Sequence, residues 1–101
     1  MTVGAPDELI HQSLRLRIMA ALHAAERDRD PMDFPRLRRL VEASDGNLGS
    51  HLATLEKAGY VSLEKDFVGR KPRTRVAITP TGRSAFRSHV AFIRDVIDSA
   101  G

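Results

Sequence analysis

The stretch that decides the fold runs from Ser44 to Arg83. It reads Ser44-Asp45-Gly46-Asn47-Leu48-Gly49-Ser50-His51-Leu52-Ala53-Thr54-Leu55-Glu56-Lys57-Ala58-Gly59-Tyr60-Val61, then two strand-like pieces around Gly69-Arg70-Lys71-Pro72-Arg73, then Thr79-Pro80-Thr81-Gly82-Arg83. Ser44 and Asp45 are both good helix caps. Leu48, Leu52 and Leu55 follow at helical spacing and define one inward side. Gly59 suits the left-handed position that ends a helix, with Tyr60 packing back toward Leu55. Val61 and Leu63 alternate with Ser62 and Glu64, and Val76 and Ile78 with Arg75 and Ala77, as half-buried strands do. Between them lies the segment 67–72, whose Gly69 and Pro72 suit a turn. The pattern predicts an antiparallel hairpin with its cations gathered at the tip. Thr79-Pro80 then restarts a helix, cap and first-turn proline in the expected order.

Outward from this stretch, Asp33 can cap a short helix that tolerates Pro35 in its first turn. Phe34, Leu37, Leu40 and Val41 form its expected buried face, and Glu42-Ala43 ends it. This helix and the one at 45–58, joined by a tight turn, predict a helix-turn-helix. Residues 1–6 read as a flexible leader, Asp7 as the cap of a first helix, and 27–31 as a polar loop ending at Pro31. The first helix carries two apolar sets: Ile10, Leu14, Ile18, Ala21, Leu22 and Ala25, and also Leu9, Leu16, Met19 and Ala20. The last helix, Pro80 to Asp98, does the same with Phe86, Val90, Ile93 and Ile97 against Ala85, His89, Phe92 and Val96. One core-facing stripe does not require both sets. Unpaired, such helices would expose contiguous apolar surface, which monomers rarely do. A homodimer paired through Leu9, Leu16, Met19, His89, Phe92 and Val96 is therefore expected, with a wider monomer core as the alternative. The fold class expected is mainly α with a small β-hairpin: three helices, two strands and a final helix, in one domain over 7–101.

Composition narrows the function. The chain has 101 residues, 42% of them hydrophobic and none cysteine. That fits a single modest core and excludes disulfides, thiolate metal sites and cysteine nucleophiles. No apolar run approaches the ~20 residues of a membrane span, and the N-terminus does not read as a signal peptide. A cytoplasmic protein without membrane contact is expected. Net charge is only +3, but Lys57 to Arg87 holds eight cations against two anions. A basic segment on a near-neutral body predicts an oriented polyanion contact. No Gly-x-Ser-x-Gly, phosphate loop or dinucleotide fingerprint is present, so no enzyme and no cofactor is expected.

On the helix at 45–58, the inward leucines leave Asn47, Ser50, His51, Thr54 and Lys57 outside. All can donate hydrogen bonds, and Asn, Ser and Thr side chains suit base edges in a major groove. The helix N-terminus favours phosphate at the amides of Asp45, Gly46 and Asn47, partly opposed by the Asp45 charge. Gly46 and Gly49 each cost a helix about 1 kcal/mol relative to Ala. Close internal packing is the expected reason at Gly46, and none is evident at Gly49. The hairpin over 67–75 offers Arg70, Lys71, Arg73 and Arg75 to phosphate or a narrow minor groove. His11, His23, His51 and His89 show no metal-ligand spacing; His89 is expected at the dimer seam.

Asp45-Gly46-Asn47-Leu48 through Leu52, Leu55 to Val61, Phe67 to Thr74, and Thr79 to Arg83 together resemble the small winged helix-turn-helix transcriptional regulators related to the MarR and ArsR groups. The resemblance covers about residues 8–98. It implies a homodimer with the first and last helices pairing across a two-fold. It implies a recognition helix in the major groove and wings over the flanking backbone or minor groove, on a pseudo-palindromic double-stranded operator. The chain departs from metal-sensing ArsR members, lacking their cysteines and their Asp-x-His pattern. A rival expectation is a winged helix used as a protein-interaction module, which a basic wing disfavours. The sequence names no small-molecule effector.

Overall fold

The computed structural model describes Ile10 and residues 13–25 and 31–100. Its elements are α1 (Ser13–Ala25), β1 (Met32–Asp33), α2 (Phe34–Val41), α3 (Asp45–Lys57), β2 (Val61–Val68), β3 (Lys71–Ile78) and α4 (Pro80–Ala100). The expected cap at Asp7 and contact at Leu9 lie outside the described residues.

Local chemistry sets the boundaries. Asp33 caps α2 by accepting the Arg36 amide at 2.8 Å, with Pro35 in the first turn. Ser44 caps α3 by accepting the Asn47 amide at 3.2 Å. At the end of α3, Gly59 takes φ +82°. Its amide donates to the Glu56 carbonyl and the Tyr60 amide to the Leu55 carbonyl, both at 2.9 Å. That is a Schellman ending, as Gly59-Tyr60 predicts. Thr79 then links α3 to α4. Its amide donates to the Tyr60 carbonyl at 3.0 Å and its hydroxyl donates to the Gly59 carbonyl. The same hydroxyl oxygen accepts the Gly82 amide at 2.9 Å, capping α4.

The sheet order is β1-β3-β2, all antiparallel. The strands of the hairpin run further than the alternation predicts, because Val68 pairs with Lys71 across a two-residue turn, Gly69-Arg70. Gly69 supplies φ +64°, as the first position of a type II′ turn demands. Pro72 opposes Phe67, one pair in from the turn-closing pair. Its missing N–H therefore faces away from β2, where no ladder bond is needed. The strand β1, absent from the expected fold, pairs Met32 with Val76 and buries Met32.

Every element contributes to one core: Ile10, Ile18, Met19, Leu22, Met32, Leu37, Val41, Leu48, Leu52, Leu55, Val61, Val76 and Phe86. Three expectations about faces are corrected. Leu40, expected inside, is exposed. Met19, expected at a dimer seam, is fully buried within the protomer. The reason is that α1 is contacted by α2, β3 and α4, so a wide arc of it is covered internally. His89 is likewise buried in the protomer, its ring stacked 6.2 Å from Phe92. Val96 and Ile97 near the end of α4 remain exposed.

Candidate nucleic-acid interface

The turn between α2 and α3 is Glu42-Ala43-Ser44. Glu42 closes α2 in the left-handed region, φ 55°. Arg38 of α2 then reaches Asp45 at the start of α3, Nε to Oδ1 at 3.0 Å. This ion pair is largely exposed and worth little to stability. It does offset the one carboxylate that opposes an anion at the start of α3.

Leu48, Leu52 and Leu55 are buried, and this fixes the rotation of α3. Asn47, Ser50 and Lys57 are consequently exposed, with His51 and Thr54 half-buried. The Thr54 hydroxyl donates to the Ser50 carbonyl at 3.3 Å, which leaves its oxygen as an acceptor. His51 accepts a hydrogen bond from Arg15 of α1. Of the three N-terminal amides expected to meet phosphate, that of Asn47 is already taken by the Ser44 cap. Gly46 is exposed, and a Cβ there would meet nothing within 4 Å, as is also true at Gly49. Internal packing therefore does not explain either glycine.

The hairpin divides by pleat and by height. On one face Glu64 opposes Arg75 and Asp66 opposes Arg73. Arg73 grips Asp66 with two bonds, Nε to Oδ1 at 2.8 Å and Nη2 to Oδ2 at 2.6 Å. Arg75 Nη2 bridges Glu64 at 3.1 Å and Asp66 at 3.3 Å. The Arg73 hydrogen bond, with the charges of Arg73 and Arg75 behind it, holds the Asp66 carboxyl below its ordinary range, against a partial burial that pushes it up. The same bond to Asp66 raises Arg73. Arg73 and Arg75, expected as free DNA contacts, are thus engaged within the wing. Arg70 and Lys71 are exposed at its tip, and no ion pair involves them among the described residues.

The sequence reasoning missed two groups. Arg36 and Arg39 are exposed on α2, the first helix of the helix-turn-helix; their spacing three apart on an amphipathic helix is the available signal. Arg15 reaches α3 from 36 residues away, which no local pattern reveals. Among the described residues, no group of His, Cys, Asp or Glu is placed to hold a metal, and no helix is long and apolar enough to cross a membrane.

Two short helices, the second stopped by a glycine, a hairpin wing and a following long helix define a winged helix-turn-helix. The chain belongs to the winged helix DNA-binding domain family, whose model matches residues 14–97. It is 30% identical over 83 residues to the uncharacterised protein MJ0432 of Methanocaldococcus jannaschii, covering 82% of this chain and 86% of that one. A transcriptional regulator homologue from Pyrococcus horikoshii OT3 superposes with TM-score 0.70 at 26% identity, over 92% of this chain and 93% of its own. A MarR-family transcriptional regulator from Silicibacter pomeroyi gives TM-score 0.69 at 25% identity over 91% of this chain. The chain spans only 58% of that regulator. The family is one of DNA-binding regulators, not of enzymes.

Proposed function

We propose that the chain is a sequence-specific, dimeric transcriptional repressor of the cytoplasm, which occludes a promoter by binding a pseudo-palindromic operator. Helix α3 enters the major groove with Asn47, Ser50, His51, Thr54 and Lys57. Arg70 and Lys71 grip the flanking backbone or minor groove, and Arg36 and Arg39 meet phosphate where α2 crosses the backbone. Arg73 and Arg75 hold the wing in shape through Asp66 and Glu64, and reach DNA only by sharing those carboxylates.

The observation that carries this reading is the contrast along the wing. On one face of its stem Arg73 and Arg75 are compensated by Asp66 and Glu64, and its tip presents two cations with no carboxylate partner among the described residues. The dimer rests on α4, where Val96 and Ile97 are 43% and 63% exposed. Half-buried Phe92 and Leu16 are assigned to this proposed seam, Met19 and His89 support it from inside the protomer, and Leu9 lies outside the described residues. Pairing there sets two reading helices about 34 Å apart, one duplex turn.

A second reading has its own support. Phe67 and Val68 on the wing are 69% and 56% exposed, an apolar pair suited to a protein partner. Fluorescence anisotropy with random duplex at low salt separates the two. The DNA reading predicts binding at micromolar protein, and the interaction-module reading predicts none. Light scattering at the same concentration checks the dimer; a monomer mass counts against it.

A further inference from the structure

His51 sits on the reading helix, yet its ring is held from outside that helix. Arg15 of α1 donates its Nε–H to His51 Nδ1 at 3.0 Å, and both side chains are part-buried. Arginine carries donors only and stays protonated. Nδ1 must therefore offer a lone pair. A neutral imidazole so engaged carries its one proton on Nε2.

We propose that Arg15 is a positioning residue: it fixes His51 as a one-sided hydrogen-bond donor through Nε2–H, and so sets which bases α3 accepts. The DNA half of the proposal rests on the function proposed above. In the major groove a donor addresses guanine N7 and O6, adenine N7 or thymine O4. It is rejected by the amino groups of cytosine and adenine. Thr54, three residues on, has the opposite polarity, because its proton is directed at the Ser50 carbonyl. The reading face therefore places a donor beside an acceptor, an order fixed by one contact from α1 and one from the helix backbone. Without Arg15 the imidazole is free to exchange its proton between the two nitrogens, and His51 loses this selectivity.

Two readouts on the 101-residue chain test this. Long-range proton–nitrogen NMR of the free protein reads the tautomer directly. The wild type is expected to show a bare Nδ1 and a protonated Nε2. Arg15→Met is expected to show averaged ring nitrogens with the amide spectrum otherwise preserved, and Arg15→Lys, which keeps a donor, to restore the wild-type pattern in part. Selection of bound duplexes from a random library is expected to show R15M relaxed about tenfold at one base-pair position per half-site, with the other positions unchanged. A protonated Nδ1 in the wild type, or a tautomer unmoved in R15M, overturns the contact. An affinity loss in R15M that is uniform over all sequences reduces Arg15 to a structural or phosphate residue and overturns the proposal. If the wild type binds no duplex, the DNA reading itself fails, and the tautomer spectra, recorded without DNA, distinguish that failure from a failure of the Arg15 contact.

Discussion

The junction of α3 with α4 and the outer face of α3 use the same residue type under opposite constraints. At the junction, a Cβ on Gly82 would collide with the Tyr60 carbonyl oxygen and stand 2.9 Å from its carbon. On the outer face, a Cβ on Gly46 or Gly49 meets nothing within 4 Å. Gly82 is required by the protein's own backbone, because Thr79 ties the start of α4 onto the carbonyls of Gly59 and Tyr60. Among the described residues, nothing inside the protomer requires Gly46 or Gly49. The stop of α3 is therefore built as rigid architecture, and its outer surface is left uncovered by the described residues of the protomer.

The largest effect expected from breaking this contrast is at the junction. Gly82→Ala should cost about 3 kcal/mol, the upper part of the overpacking range, since backbone rather than a side chain must give way. For a domain of this size that is a fall in Tm of roughly 12–24 °C by calorimetry. An unchanged Tm would show that α4 does not rest on Tyr60 as described. The outer face should respond with the opposite sign. Gly49→Ala in the helix interior should raise stability by up to about 1 kcal/mol, and Gly46→Ala, in the first turn, by less. Chemical denaturation reads both, and a loss at either position would reveal an internal constraint the geometry does not contain.

The smallest effect concerns the wing stem. Asp66 is held below its ordinary value of 3.8 chiefly by the Arg73 hydrogen bond. A carboxyl depressed in the folded state stabilises above the unfolded value and loses that contribution as pH falls through the folded one. The Asp66–Arg73 bridge should thus be intact above pH 3.8 and open only at lower pH. A carbon-detected NMR titration of the Asp66 carboxyl should give a midpoint below 3.8; a midpoint at or above it contradicts the bridge.

Much of the fold is legible in short signals. Asp33, Ser44, Gly59-Tyr60 and Thr79-Pro80 mark element ends through bonds made within a few residues, so the sequence carries them locally. What it does not carry depends on partners far along the chain. Met32 is buried only because it pairs with Val76, and two residues are too few to show alternation. The inward side of α1 is as wide as the elements around it, so Met19 cannot be told from a seam residue by spacing. The candidate site divides in the same way. The outward residues of α3 follow from its leucines, and the cations of the wing are visible as composition. Which of those cations are compensated depends on register, Asp66 opposite Arg73 and Glu64 opposite Arg75, and that follows from a turn of two residues rather than the longer one expected.

The central claim is that the uncompensated wing tip, Arg70 and Lys71, meets the phosphates of duplex DNA while the stem does not. A salt titration of duplex binding tests it most directly, comparing the wild type with the Arg70→Ala/Lys71→Ala double variant. Each lost phosphate contact lowers the slope of log K against log salt by about 0.9, so the slope should fall by roughly two units, with weakening across all sequences. A double variant that binds with the wild-type slope would contradict the account.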